Sequence, residues 1–265
     1  MIPQDYPRVI IEAVEPQVDG GRFPIKRVVG EKVAVSADIY KEGHDKLAAL
    51  LKVRKIGEKK WQESPMTQGD NDRWQGEFTV TAVGRWEYTI EGYAERYLSW
   101  VDEITKKNVA GANVSSELLE GLVILKKSAA AAAGGDRTRM NGIITAMESA
   151  LAAGEQQGAI DMGIGTVMRS MMARYPDRSE GYELAPVLKI MVNRPITRFA
   201  SWYEFFPRSQ GTVPYRHGTL QDCIRRLRAI HAMGFDVVYL PPIHPIGISF
   251  RKGKNNSLVS IPGDV

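Results

Sequence analysis

The stretch PPIHPIGISFRKGKNN, Pro241 to Asn256, places three cations (Arg251, Lys252, Lys254) and two amides (Asn255, Asn256) within six residues. A lysine ammonium is a compact charge that suits phosphate, and an asparagine amide suits hydroxyl or phosphate oxygens. Gly253 would let the backbone come close to a ligand. On chemistry alone, Lys252, Lys254, Asn255 and Asn256 are candidate binding residues for a phosphorylated polar substrate such as a sugar phosphate. The plain alternative is a solvated basic loop. A localisation signal or nucleic-acid patch has similar composition, but the position of this run after a buried strand argues against it.

Other reactive side chains are fewer. Glu204 lies in an otherwise apolar run, where burial would raise its pKa; pairing with Arg208 or another buried cation is the simpler role. His244, between Pro242 and Pro245, is expected to shape a turn through a ring hydrogen bond. His231 and His44 read as structural. Cys223, the single cysteine, falls on the apolar stripe of a helix and reads as a small core residue. It excludes an internal disulfide, which fits a reducing compartment. No His, Cys and carboxylate spacing suggests a metal site, and no cofactor is implied. GIGTVM, from Gly163, lacks the third glycine and the preceding strand of a dinucleotide fingerprint.

The elements that must position the basic loop come in three textures. Residues 1–95 read as strands. KVAVSADIY alternates Val33, Val35, Ala37 and Ile39 onto one face, RWQGEFTV does so with Trp74 and Phe78, and RWEYTIEGY with Trp86, Tyr88 and Ile90. QGDNDR between two of them has turn chemistry. Short strands with regular turns imply a β-sandwich.

Residues 96–181 change to helical period, giving three or four antiparallel helices. Ser115 or Ser116 is the expected cap of one carrying Leu118, Leu122 and Leu125. Asp136 is the expected cap of another carrying Met140, Ile143, Ile144, Met147 and Leu151. A third carries Ile160, Ile164, Val167, Met168, Met171 and Met172 and ends at Pro176. Residues 182–197 return to the sandwich, Tyr182 to Asn193 closing the sheet, and lead into a linker.

From Arg198 the texture is α/β. RFASWYEFF and FDVVYLPPI read as strands buried on both faces. Between them, GTLQDCIRRLRAIHAMGFD reads as a helix with Thr219 as N-cap and Asp222 completing a near capping box. Its inner stripe is Leu220, Cys223, Ile224, Leu227 and Ile230, and Gly234 is its C′ residue. Strand, helix, strand makes a parallel, right-handed unit. Ligands bind beyond the carboxyl ends of such strands, where the basic loop lies.

Composition sets the outer bounds. A 265-residue chain with 43% hydrophobic and 25% charged residues is an ordinary soluble globular protein of one to three domains. A net charge of +4, spread over scattered doublets such as Lys59-Lys60 and Arg225-Arg226, disfavours nucleic acid as a partner. The start, MIPQDYPR, has no signal-peptide pattern, and no apolar run is long enough for a membrane. The expected location is cytoplasmic.

SWYEFFPRSQG, followed by GTLQDCIRRLRAIHAMGFDVVYLPPIHPIGISFRKGKNNSL, resembles the α-1,4-glucan:maltose-1-phosphate maltosyltransferases of the α-amylase superfamily. The resemblance is strong from Arg198 to Val265 and looser upstream. It implies an immunoglobulin-like β-sandwich (1–95, with the return at 182–197), an inserted α-helical bundle used in dimer formation (96–181), and the first β-α-β of a (β/α)8 TIM barrel (198–265), truncated. The implied reaction is retaining transfer of maltosyl units from α-maltose 1-phosphate to the non-reducing end of an α-1,4-glucan. In the family, the lysine of the RKG motif, here Lys252, contacts the donor near its phosphate. The nucleophilic Asp and acid/base Glu are expected beyond Val265. The chain alone is therefore expected to be inactive, with its last 68 residues unstably folded. Two other readings stand beside this one. One is a branching or debranching enzyme, disfavoured by the phosphate-suited loop. The other is a non-catalytic carbohydrate-binding or dimerisation module, with Trp61, Trp74 and Trp86 as sugar platforms or, more simply, core residues.

Overall fold

The computed structural model describes residues 8–214, 216–244, 247, 249–262 and 264. The chain divides into two compact units, Met1–Asn193 and Arg194–Val265. The first opens with strands β1 (Val9–Glu15), β2 (Ile25–Val28), β3 (Lys32–Lys41), β4 (Leu47–Lys55), β5 (Gln62–Pro65), β6 (Thr67–Gln68), β7 (Arg73–Thr79) and β8 (Gly84–Ala94). Helices α1 (Arg96–Val109), α2 (Ser115–Ala131), α3 (Gly134–Ala152), α4 (Gln156–Ile164) and α5 (Thr166–Arg174) follow, then β9 (Tyr182–Glu183) and β10 (Leu188–Asn193).

The strands form two sheets, β1-β3-β7-β6 and β2-β10-β8-β4-β5, with β9 paired to β8. Period-two alternation sends Val33, Val35, Ala37 and Ile39 of one sheet and Trp86, Tyr88 and Ile90 of the other into one shared core. Burial of each large apolar side chain there contributes roughly 1.5–3 kcal/mol. Trp74 and Trp86 belong to this core, their indole N–H groups donating to the carbonyls of Ile39 at 3.1 Å and Ala82 at 2.8 Å. They offer no face to a sugar. Trp61 is half-buried, and the Arg54 guanidinium lies 4.0 Å from its ring centroid.

The return segment is two strands, where one was expected. Pro186 lacks a ladder donor and falls in the interruption. β10 is not an edge: it runs parallel to β2 and antiparallel to β8.

Five helices replace the expected three or four. Gly165 divides the third pattern into α4 and α5; a Cβ there would lie 2.9 Å from the Asp161 carbonyl oxygen. The restart changes the phase, so Val167 is exposed while Met168, Met171 and Met172 stay buried. Neither Ser115 nor Ser116 caps α2. The Asn113 side-chain oxygen instead accepts from the Ser115 backbone N–H (3.0 Å) and hydroxyl (2.7 Å). Asp136 lies inside the first turn of α3, accepting from Arg174 Nη2 at 3.1 Å and from the Tyr175 hydroxyl at 3.0 Å. Leu118, Leu122, Leu125 and Met147 pack with Trp100 in the bundle core. Trp100 fits because Gly121 and Gly163 bear no side chain: a Cβ on Gly163 would lie 2.8 Å from the ring.

Where the chain leaves the bundle, charge pairs tie it to the sheet. Lys52, buried, donates from Nζ to Glu183 at 2.6 Å and Glu91 at 3.4 Å. Arg178 reaches Glu91 and Glu63, each at 3.1 Å. Desolvation pulls the Lys52 pKa down, but the bonds and charges of Glu183 and Glu91 outweigh it and leave it raised.

In the second unit, β11 (Trp202–Glu204) runs parallel to β12 (Val237–Tyr239), with Trp202 opposite Val237, and α6 (Cys223–Ala232) crosses between them. Tyr203, Phe205, Val238 and Leu240 pack with Cys223 and Ile230 of α6. The opposite face of the pair carries Trp202, Glu204, Phe206 and Tyr239, all exposed. The apolar character of both strand faces is therefore only half used, as expected of a strand, helix and strand without the rest of a barrel: α6 covers one face, and no described element of this unit covers the other. The helix stripe is corrected. Cys223 and Ile230 are buried, while Leu220, Ile224 and Leu227 are exposed.

Candidate functional site

The candidate site is the carboxyl end of the β11–β12 pair. Its frame is local hydrogen bonding. Asp236 fixes the entry to β12 by accepting from the Ser201 backbone N–H at 2.9 Å and hydroxyl at 3.0 Å, which holds its carboxyl below the usual carboxylate range. Asp222 does the same before α6, accepting from the Thr219 N–H and hydroxyl, both at 2.8 Å. Those two bonds lower its pKa. This is the acid half of the expected capping box; the helix itself starts at Cys223, so Asp222 is the N-cap residue rather than Thr219. Gly234 takes φ +86° just past the helix, as a C′ residue does. Cys223 is buried, its Sγ donating to the Thr219 carbonyl at 3.3 Å, in the small-core role expected of it.

Beyond the strands, a cleft of about 470 Å³ is lined by Phe206, Arg208, His217, Leu220, Pro241 and His244, among others. It forms because Gly218 crosses the segment after β11 in close contact: its N–H donates to the Arg208 carbonyl at 2.8 Å, and a Cβ would lie 2.5 Å from the Pro207 oxygen. One guanidinium and two imidazoles make this an anion-tolerant mouth. His244 is exposed and, among the described residues, its ring makes no hydrogen bond, so the expected turn-shaping bond is absent. Glu204 is exposed on the uncovered face and, among the described residues, forms no ion pair with Arg208.

The basic loop follows. Lys252, Lys254, Asn255 and Asn256 are all exposed, and they are not among the residues lining the cleft. Lys254–Asn256 form a 3-10 turn in which Asn255 (φ 54°) and Asn256 (φ 62°) adopt the left-handed conformation that asparagine tolerates. Arg251 differs from its neighbours. It is half-buried and donates from Nη2 to the Asp264 carbonyl at 2.8 Å, a structural tie. Gly253 is required by the loop itself, since a Cβ would collide with Ser257 Oγ and the Val259 oxygen and lie 2.6 Å from Asp264 Oδ2. Its smallness therefore closes the loop, where the sequence suggested approach to a ligand. Sequence reasoning missed Arg208 and His217 as lining residues; the signal available was their place in the connection that leads from the carboxyl end of β11 to α6. Among the described residues, no group of three or more His, Cys, Asp or Glu side chains would hold a metal ion.

Comparison with known proteins adds the following. Residues 7–194 match the family model described as α-1,4-glucan:maltose-1-phosphate maltosyltransferase, domain N/S. Curated proteins of that name are similar along the chain. The protein from Chlorobaculum tepidum is 41% identical over 257 residues, covering 97% of this chain and 38% of its own length. That from Myxococcus xanthus is 40% identical over 261 residues, covering 97% and 39%. That from Rhodospirillum rubrum is 39% identical over 275 residues, covering 100% and 40%. The chain thus spans about two-fifths of the length of these relatives.

Proposed function

The chain belongs to the α-1,4-glucan:maltose-1-phosphate maltosyltransferase family, and from that premise we propose that it serves transfer of maltosyl units from α-maltose 1-phosphate to the non-reducing end of α-1,4-glucans. In this reading the two sheets are an immunoglobulin-like sandwich carrying an inserted bundle, and β11-α6-β12 opens a (β/α)8 barrel. The observation that carries the reading is the family match over residues 7–194, joined to similarity that runs on through the basic loop. Retaining transfer requires a carboxylate nucleophile and a carboxylic acid at close separation. No carboxylate of the β11–β12 end is assigned either role, and we place both outside residues 1–265.

The contribution of this chain to the reaction is donor binding. Lys252 meets the donor phosphate as a point charge, and Lys254, Asn255 and Asn256 supply neighbouring donors. Their exposure supports this: among the described residues their side chains make no hydrogen bond or ion pair and remain available to a ligand. A homodimer is part of the same proposal: α2 exposes Leu119 and Val123, one turn apart, on the outside of the bundle. No helix among the described residues is long and apolar enough to cross a membrane; a cytoplasmic setting is part of the same proposal.

The test is Lys252→Ala in an enzyme with a complete barrel, assayed by phosphate release. A charge-assisted bond is worth about 1.5–3 kcal/mol, so KM for maltose 1-phosphate should rise roughly 10- to 150-fold, with a smaller change in kcat. An unchanged KM would remove Lys252 from the donor site.

A further inference from the structure

The outer face of the larger sheet in the first unit is unevenly charged. Leu188, Ile190 and Val192 of β10 and Trp86 and Tyr88 of β8 turn into the core, so Lys189, Met191, Arg85 and Glu87 face outward. Toward β4 the outward cations meet acids: Arg54 donates to Glu87 and Lys52 to Glu183, each at 2.6 Å. Toward β10 and β2 they do not. Glu87 is the cross-strand partner of Lys189, but its ion pair is with Arg54. Among the described residues, the side chains of Lys189, Arg85 and Lys26 form no hydrogen bond or ion pair. Register sets Lys26 beside Met191 and Met191 beside Arg85, so cation, apolar group and cation follow one another across three strands. Like charges that share a sheet face repel unless something neutralises them.

A cleft of about 280 Å³ opens there, lined by Arg22, Pro24, Ile56, Arg85, Lys189 and Met191, among others. Among the described residues its lining holds three cations, no carboxylate and no side-chain oxygen. Arg22 approaches Asp19 at 3.6 Å and lies over the Phe23 ring at 5.2 Å. The Arg22 and Asp19 side chains are 75% and 59% exposed, so that pair is weak and easily exchanged for another anion. Pro24 and Met191, half-buried, and Ile56, exposed, supply aliphatic walls. The set discriminates between ligand classes. A cation is repelled. A neutral polyhydroxylated molecule finds no side-chain acceptor, and a wholly apolar one would cover charges without pairing them. An anion carried on an apolar body uses both halves. Two guanidinium forks and one ammonium match a phosphate dianion better than a single carboxylate. The volume lies just under the range of drug-sized pockets, roughly 300–1,000 Å³, which limits the body to about one ring or a short chain.

We infer that this cleft binds a small phosphate monoester with an apolar body, its phosphate held by Arg85, Lys189 and Arg22 and its body set against Ile56 and Met191. The inference does not depend on the maltosyltransferase reading. The probe is phenyl phosphate, compared in titration calorimetry with inorganic phosphate and phenol, on this chain and on an enzyme with a complete barrel. Phenyl phosphate should bind about tenfold or more tighter than either half alone, and it should protect Lys189 from acetylation, read by mass spectrometry. Arg85 and Lys189 are exposed, so Arg85→Ala and Lys189→Ala keep the fold, and each should weaken binding about tenfold or more. Lys189→Arg should retain it, and Ile56→Ser should erase the preference over inorganic phosphate. Lys252→Ala, in the other unit, should bind like the parent chain. Phenyl phosphate that binds no tighter than inorganic phosphate overturns the site and leaves a solvated basic face. Unchanged binding in both Arg85→Ala and Lys189→Ala also overturns it. So does loss of binding in the enzyme with a complete barrel, which would mean that the rest of that protein covers the cleft.

Discussion

Strand β3 of the first unit and strand β11 of the second are both rich in residues that seek burial, yet they end in different surroundings. β3 is paired on both sides, and its Val33, Val35, Ala37 and Ile39 meet a second sheet. β11 is paired on one side, by β12, and packs one face against α6 while Trp202 on the other is 61% exposed. The local hydrogen bonding of β11-α6-β12 is nevertheless in place: the parallel register, the Asp222 and Asp236 brackets and the Gly234 terminus are all formed. Local hydrogen bonding suffices to set the path of a strand or helix. Burial requires a further layer, and the stability that burial contributes is concentrated in the first unit.

Three substitutions test that contrast. Leu125, fully buried in the bundle, should be the most costly: Leu125→Ala should destabilise the first unit by about 2–5 kcal/mol in denaturant unfolding. A pH-dependent effect of middle size is expected at Glu95, where β8 hands over to α1. Burial, ahead of the nearby charge of Asp177, raises its carboxyl above the ordinary value, although the backbone N–H groups of Leu98 and Tyr97 pull it partly back. A raised folded-state pKa favours the protonated form. Its stabilising contribution is present at acid pH, below the unfolded pKa, and is lost as pH rises through the folded value. Glu95→Gln should therefore raise Tm by a few degrees at neutral pH and leave it unchanged at acid pH, as read by circular dichroism melts. Equal gains at both pH values would show that the carboxyl titration is not the cause. The smallest effect belongs to Leu227 on the exposed face of α6. Leu227→Ala should shift unfolding by no more than about 0.5 kcal/mol. A cost like that of Leu125→Ala would break the comparison, because it would mean that the face of α6 is covered in solution.

Periodicity made much of this legible. The alternation of Val33 to Ile39, the i, i+4 spacing of Leu118 and Leu122, and the order of strand, helix and strand after Arg198 each follow from one local rule. The errors arose where a second residue or a missing layer decided the outcome. Asn113 reached the start of α2 before Ser115 did, and Gly165 reset the phase that would have buried Val167. Leu220, Ile224 and Leu227 carry a sound helical stripe, but no pattern in a helix reports whether a layer lies against it. For the candidate site, the residue types of the basic loop were readable and its closure was not. Gly253 is explained by Ser257, Val259 and Asp264, contacts that only the folded loop creates.

The place of β10 has a consequence for how the molecule is made. Ile190 lies beside Ile25 on one flank and Trp86 on the other, so the last strand of the first unit fills a slot between two that were synthesised long before. The helices between Arg96 and Arg174 draw on near neighbours in the chain and can assemble as they emerge from the ribosome. The sheet can do so only in part. β4, β5 and β8 can pair at once, but β2, whose partner is β10, must wait with that slot vacant until the whole bundle has been translated, an interval in which the open strand edges invite a chaperone.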